Sequence, residues 1–265
     1  MRYFLHLGFD GTNYSGWQKQ ANTNNTVQDI LERTLAKVCK NDVSVYGCGR
    51  TDAGVHASQY VAHIDLEQRP KFDLKYRLNK NLPQDIAIYD ILEMDNERHS
   101  RFDASARTYD YFIHWKKDPN LIRYSAFYED HSLDFDLMRS CTELISNTKD
   151  FRPLCKQPDL YDNTRCKVTA CTLKVNEVQG RMRFTITSDR FLRGMVRYCV
   201  YFLLKVGNGE MTLKTFGDIL EQRSELKQKE PALPNGLFLS KVEYPFLTLE
   251  SPHHLIRTLR SGLDI

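Results

Sequence analysis

Residues 2 to 9 alternate, with Tyr3, Leu5, Leu7 and Phe9 on one face and Arg2, Phe4 and His6 on the other. This is the period-two pattern of a strand. The stretch "DGTNYSGWQKQ" breaks the alternation as a glycine-rich loop. The spacing then changes: Val27, Ile30, Leu31, Thr34, Leu35 and Val38 form one stripe at helical period, with Asn25 and Gln28 as a capping box at its start. A short strand over 43–48, a strand from Ser58 to Asp65, a short helix in "KFDLKYRLNKNLP" stopped by Pro83, and a strand in "DIAIYDILEM" follow.

After "DNERHSRFDASA" the alternation of strand and helix begins again. "RTYDYFIHW" reads as a strand with Tyr109, Tyr111, Ile113 and Trp115 on one side. A helix is expected over 134–147, a hairpin over 166–178 and 181–189 across Gln179-Gly180, and a helix over 191–206 with Leu192, Met195, Val196, Cys199, Val200, Leu203 and Val206 on one face. A short helix over 212–222 and a terminal strand "GLFLSKVEY" close the chain, with the polar, proline-punctuated stretch 223–235 as a loop between them. Two successive strand-and-helix sets predict an α+β fold of two similar halves, 1–104 and 105–265, each a mixed, mainly antiparallel sheet backed by helices.

Composition narrows the class. The 265 residues are 41% hydrophobic and 27% charged, ordinary for a soluble globular protein. Net charge is only +3, but it is uneven. Between Arg165 and Lys205 nine Lys and Arg stand against Glu177 and Asp189, a local +7 that leaves −4 over the remainder. A basic stripe on a near-neutral chain is the footprint of a polyanion binder, and equally of a solvated protein face. The seven cysteines form no CxxC pair and Cys39, Cys48 and Cys199 sit in apolar settings, so reduced thiols are expected rather than a zinc site or disulfides. The opening "MRYFLHLGFDG" has no apolar core of a signal peptide, and "CVYFLLKV" is too short to span a bilayer. A cytoplasmic protein with no membrane partner is expected.

The candidate chemistry centres on "CGRTDAGVHA", residues 48 to 57. Asp52 stands in a turn bracketed by Gly49 and Gly54, with Arg50 before it and His56 after it. An Asp beside Gly is ordinarily a turn-former. Other irregular polar stretches also lie next to strands: "FDGTNYSGWQ", "RFDASARTYDY" and "FLRGMVR".

These stretches together resemble TruA-type tRNA pseudouridine synthases. "CGRTDAGVHA" is similar to the catalytic motif of that family without a gap, "FDGTNYSGWQ" to its N-terminal motif, and "TVQDILERTL" to its first helix. "LNKNLPQDIAI" and "RHSRFDASARTYDYFI" are similar to the central blocks, "DRFLRGMVRYCV" to the late helix, and "PALPNGLFLSKVEY" to the closing segment. The resemblance covers nearly the whole chain. It departs at "DFRPLCKQPDLYDNTRC", where the family commonly has a Ser-Phe pair after Asp-Phe, and at Asp103, where other members vary.

The resemblance implies an active site in a basic cleft between the two halves, no cofactor and no metal, a homodimer, and tRNA as partner through its anticodon stem-loop, at positions 38, 39 and 40. It implies that Asp52 is the catalytic nucleophile, that Tyr109 stacks on the flipped base and takes part in proton transfer, and that Arg197 is the counter-charge of the carboxylate. Arg50 and Arg193 are implied as substrate-binding residues. Helical projection places Arg193 and Arg197 one turn apart beside the apolar stripe. Without the resemblance, Arg197 reads as a surface helix arginine and Tyr109 as a core aromatic. His56 reads as a structural hydrogen-bonder, because a uridine isomerisation gives it no task. The rivals are a non-catalytic RNA-binding module of the same fold, which has no use for both Asp52 and Tyr109, and a nucleoside or RNA hydrolase, which calls for a second acid or a metal cluster.

Overall fold

The computed structural model describes residues 1–129, 132–224, 229–250 and 254–263. In chain order the elements are β1 (Arg2–Phe9), α1 (Val27–Cys39), β2 (Tyr46–Gly47), β3 (His56–Asp65), α2 (Leu74–Asn81), β4 (Ile86–Met94), β5 (Ala106–His114), β6 (Ala126–Phe127), α3 (Phe135–Asn147), β7 (Val168–Asn176), β8 (Arg181–Ser188), α4 (Met195–Gly207), α5 (Leu213–Leu220), β9 (Leu237–Glu243) and α6 (His254–Arg260). Two compact units result. The first comprises Met1–Ser105 and Phe238–Ile256, the second Ala106–Leu237 and Arg257–Ile265. The first crossing falls at Ser105, but the chain then returns to the first unit for the terminal strand, which two consecutive stretches 1–104 and 105–265 do not provide.

In the first unit the strand order is β4-β1-β3-β9, with β2 also paired to β3. β1 is antiparallel to both β3 and β4, while β9 runs parallel to β3 through His56↔Phe238 and Ala57↔Leu239. As the inner strand, β1 buries both faces: Phe4 and His6 are as enclosed as Leu5 and Leu7. α1 is amphipathic as spaced, with Val27, Leu31, Leu35 and Val38 buried. Its cap, however, is Thr26, whose hydroxyl accepts from Asp29 N, and not Asn25. Gln28 does not close a capping box; its amide nitrogen donates to Val45 O and Glu32 Oε1, tying the helix to the segment before β2. The strand expected over 43–48 shrinks to two residues.

In the second unit the order is β6-β5-β8-β7. β5 and β8 pair antiparallel from Arg107↔Ser188 to His114↔Arg181, and β7–β8 is the expected hairpin, turned by Gly180 at φ +65. α3 packs on β7 and on α4, with Met138, Cys141, Ile145, Cys199 and Phe202 in the core. Each unit is therefore a mixed, mostly antiparallel sheet with helices, and the chain is α+β. α6 is an element the hydrophobic pattern did not announce. Its last residue, Arg260, reaches Asp110 Oδ2 at 2.5 Å, and Arg181 donates to the carbonyls of Leu259 and Ser261.

That contact revises the basic stripe. Arg183 is buried with its Nε 4.0 Å from fully buried Asp110, so not all nine cations face water. All seven cysteines are free and five are buried. The expected loop 223–235 falls partly outside the described residues.

Candidate active site

The Asp52 turn joins β2 to β3 in the first unit. Val55 N donates to Asp52 O at 3.2 Å, closing the turn, and Gly54 occupies the left-handed region at φ +76, which favours glycine. The loop after β1 grips this turn from outside. Trp17 N donates to Thr51 O at 3.1 Å and Gly54 N donates to Tyr14 O at 3.3 Å. Gly11 and Gly16 permit the approach: a Cβ at Gly11 would stand 1.9 Å from Val55 O, and one at Gly16 2.5 Å from Thr51 O. The Trp17 ring stacks on Tyr60 with centroids 3.9 Å apart, and the Tyr60 hydroxyl donates to Gly49 O at 2.5 Å.

The turn is thus held at Gly49, Thr51, Gly54 and Val55, in each case through the turn's own main-chain atoms. Thr51 is buried, the Asp52 side chain is half-buried and Arg50 is exposed. The two bracketing glycines serve different ends. Gly54 satisfies a backbone angle, whereas a Cβ at Gly49 would meet no atom within 4 Å, so that side of the turn is open.

His56 lies at the start of β3, 1% exposed, stacked on Phe238 at 4.6 Å. Its Nδ1 stands 3.1 Å from Asp10 Oδ1 and 3.0 Å from Gly11 N. Nδ1 serves one of these partners at a time: its lone pair accepts from Gly11 N, whereas a ring proton on it donates to the Asp10 carboxylate. Burial works to raise the Asp10 carboxyl, but the bonds from His56 and Thr12 outweigh it and hold the group below the usual carboxylate range. His56 and Asp10 therefore tie the loop after β1 to the base of the Asp52 turn.

The second unit carries the remaining candidates. Tyr109 lies on β5 opposite Ile186, 9% exposed, with Phe191 edge-on at 4.9 Å. Tyr111, two residues on and on the same face, is fully buried and donates to Leu233 O at 2.6 Å. Burial, with Tyr128 adding to it, pushes the Tyr111 phenol well above its ordinary value, while the positive charge of Arg197 opposes the rise. Arg197 thus acts electrostatically on the residue beside Tyr109. It is half-buried on α4, and its Nε donates to Ala232 O at 2.6 Å while Ala232 N donates back to Arg197 O at 3.1 Å.

Arg193 requires a correction. The helix expected over 191–206 begins only at Met195, because its N-cap Gly194 sits at φ +73 and breaks the helical path. Arg193 therefore precedes the helix, exposed, and does not share a helical face with Arg197. Sequence reasoning gave Gly11, Gly16 and Trp17 no individual roles within a loop that reads as architectural or RNA-facing, and it missed the 232–233 strap that Arg197 and Tyr111 both hold. The signal for the first was present: two glycines flanking Tyr14, with Trp17 directly after the second, in the loop immediately after a strand. Among the described residues no group of three or more His, Cys, Asp and Glu side chains is disposed to hold a metal ion. Among them, too, no helix is long and apolar enough to cross a membrane.

Comparison with known proteins reaches both units. The sequence model of the tRNA pseudouridine synthase family matches residues 7–103 and 148–245. Curated relatives include tRNA pseudouridine synthase A of Bacteroides fragilis, 41% identical over 247 residues, spanning 92% of this chain and 96% of the relative. The protein of the same name from Bacteroides thetaiotaomicron is 40% identical over 248 residues, spanning 92% and 91%. That from Streptococcus mutans is 32% identical over 247 residues, spanning 92% and 99%.

Proposed function

The chain belongs to the tRNA pseudouridine synthase family, and from that premise we propose that Asp52 is the nucleophile with which it isomerises uridine to pseudouridine in tRNA. In this reaction the N1–C1′ bond of uridine breaks, the base turns, and C5 bonds to C1′. The proton lost from C5 is balanced by one gained at N1, so no oxidant, reductant or energy source enters. The observation that carries the assignment is the family match over 7–103, which contains the whole Asp52 turn.

The local geometry supports it. A nucleophile must be held still while its oxygens stay accessible. The main chain on both sides of Asp52 is fixed by Trp17 N, Tyr14 O and the Asp52–Val55 turn, while the residue itself is half-buried rather than enclosed.

The target base must leave its stack to be reached, and an aromatic face is the natural holder of a flipped base. Tyr109 takes that role in the proposal, with proton transfer as its second part. Its ring lies T-shaped to Phe191, with centroids 4.9 Å apart. Arg197 is the counter-charge of the acid, and Arg50 and Arg193 contact the RNA. The proposal extends to positions 38, 39 and 40 of the anticodon stem-loop and to a homodimer, both carried by the resemblance to TruA-type enzymes.

The test is an unmodified tRNA transcript carrying uridine at position 39, incubated with the protein and mapped by carbodiimide-adduct primer stops. A new stop at 38, 39 or 40 is expected. Stops elsewhere only would overturn the positions, and no stop at all would overturn the activity.

A further inference from the structure

One short loop grips one arginine at three points. Lys156 N donates to Arg193 O at 2.9 Å, Arg193 N donates to the Tyr161 hydroxyl at 3.1 Å, and Arg193 Nη1 donates to Gln157 Oε1 at 2.5 Å. The backbone donor, the backbone acceptor and the guanidinium of Arg193 are thus all engaged by residues 156–161. The loop is itself shaped by the single turn Pro158–Leu160. Arg193 is exposed, and the next residue is the left-handed Gly194 that starts α4.

An exposed arginine loses roughly 2 kcal/mol of rotamer entropy when it is held in one geometry. A neutral amide on the surface returns little of that. The arrangement makes sense when a fixed guanidinium has something to meet. Gln157 takes one of its N–H groups and leaves the rest of the fork for a bidentate anion. The surroundings favour an anion as well. Lys156 is exposed beside it, and the Arg190 guanidinium lies 6.0 Å over the Tyr161 ring. Of the acids along these segments, Asp189 Oδ1 accepts from the main chain of Lys167 and Arg190 and Asp159 pairs with Arg152, while Asp162 stands exposed after Tyr161.

We infer that the 156–161 loop presents Arg193 to a backbone phosphate of the tRNA, with Gln157 and Tyr161 as positioning residues. This rests on the functional reading above, since it takes RNA as the ligand. It assigns a function to the segment in which the sequence departs from its family's usual pattern. Gln157 and Tyr161 touch no reacting atom; they act through Arg193 alone.

That last statement supplies the test, a double-mutant cycle with Gln157→Leu and Arg193→Ala, read in kcat and KM on the tRNA transcript and in tRNA Kd by filter binding. Gln157→Leu is expected to raise KM and Kd about 3- to 10-fold with kcat unchanged, the range of a typical net hydrogen bond. In the Arg193→Ala background it is expected to add nothing. Tyr161→Phe should follow Gln157→Leu in direction. Arg193→Ala should also reduce the slope of log Kd against log salt by about one, the signature of one lost phosphate contact. Effects of Gln157 and Arg193 that simply add, or a fall in kcat at constant KM, would overturn the inference. A wild-type protein that binds tRNA but makes no pseudouridine would overturn the activity instead, and the cycle read in Kd would still decide this question.

Discussion

Gly16 lies against the main chain of Thr51 so closely that a Cβ on it would stand 2.5 Å from the Thr51 carbonyl oxygen. It also has φ +93, and its neighbour Trp17 donates to that same oxygen. Gly16→Ala is therefore strained twice, by angle and by contact. It is expected to destabilise the protein by more than about 1 kcal/mol. Displacing the Asp52 turn should also lower turnover about 100-fold. Gly49→Ala is the control, since nothing lies within 4 Å of its Cβ; it should keep stability within about 0.5 kcal/mol of wild type. Urea midpoints and pseudouridine yield decide this, and a fully active, stable Gly16→Ala protein would remove the buttress from the account.

Tyr109 is expected to separate stacking from proton transfer. Tyr109→Phe keeps the ring and should bind tRNA as wild type does while lowering kcat. Tyr109→Ala loses the platform and should weaken productive binding by about 1–3 kcal/mol, the range for one base on one aromatic ring. Equal kcat for Phe and wild type would leave Tyr109 a stacking residue only. Full activity in the Ala variant would end its role altogether.

Much of this was legible in the chain. β1, α1, the β7–β8 hairpin and most other elements follow from period two and period 3.6, because each puts an apolar face on a core. What escaped were features set by single backbone angles or by contacts distant in sequence. The start of α4 was misplaced because Leu192 continues the apolar stripe, while the left-handed Gly194 cuts the helix behind it. Thr26 was passed over as a cap because Asn25 beside it is an equally good capping residue type. Asp110 alternates with Tyr109 and Tyr111 and so should face away from them, but no local pattern announces that Arg260, far along the chain, will meet it. Candidate chemistry was visible as irregular polar stretches beside strands; the hydrogen bonds that hold them were not.

His63 gives a prediction about acid sensitivity. It is 1% exposed, stacked on Tyr46 at 4.9 Å, with its Nδ1 2.8 Å from the Ser100 hydroxyl. Burial lowers its pKa from 6.5 to about 4, helped by the charges of Arg2 and His99 and opposed by Asp65. A depressed folded-state pKa gives stability that is fully present above the unfolded value and is lost as pH falls through the folded one. The urea midpoint should therefore decline from about pH 6.5 toward pH 4, and His63→Gln should flatten that decline. An unchanged pH slope in the variant would place the acid sensitivity elsewhere.

Arg197 should reveal itself in turnover rather than in binding. If it is the counter-charge of Asp52, Arg197→Met should lower kcat about 100-fold with tRNA Kd unchanged. Arg197→Lys should lower it less, because the charge remains while the bond from Nε to Ala232 O is lost. An unchanged kcat in Arg197→Met would make Arg197 a structural residue of the 232–233 strap.

The central claim is that Asp52 performs the chemistry, and the most direct measurement compares wild type with Asp52→Asn on the same tRNA transcript, by carbodiimide mapping and by filter binding. The substitution is nearly isosteric, and the backbone bonds Trp17 N to Thr51 O, Gly54 N to Tyr14 O and Val55 N to Asp52 O do not involve the carboxylate. The account predicts wild-type tRNA affinity with no detectable pseudouridine. Turnover surviving in Asp52→Asn would contradict it.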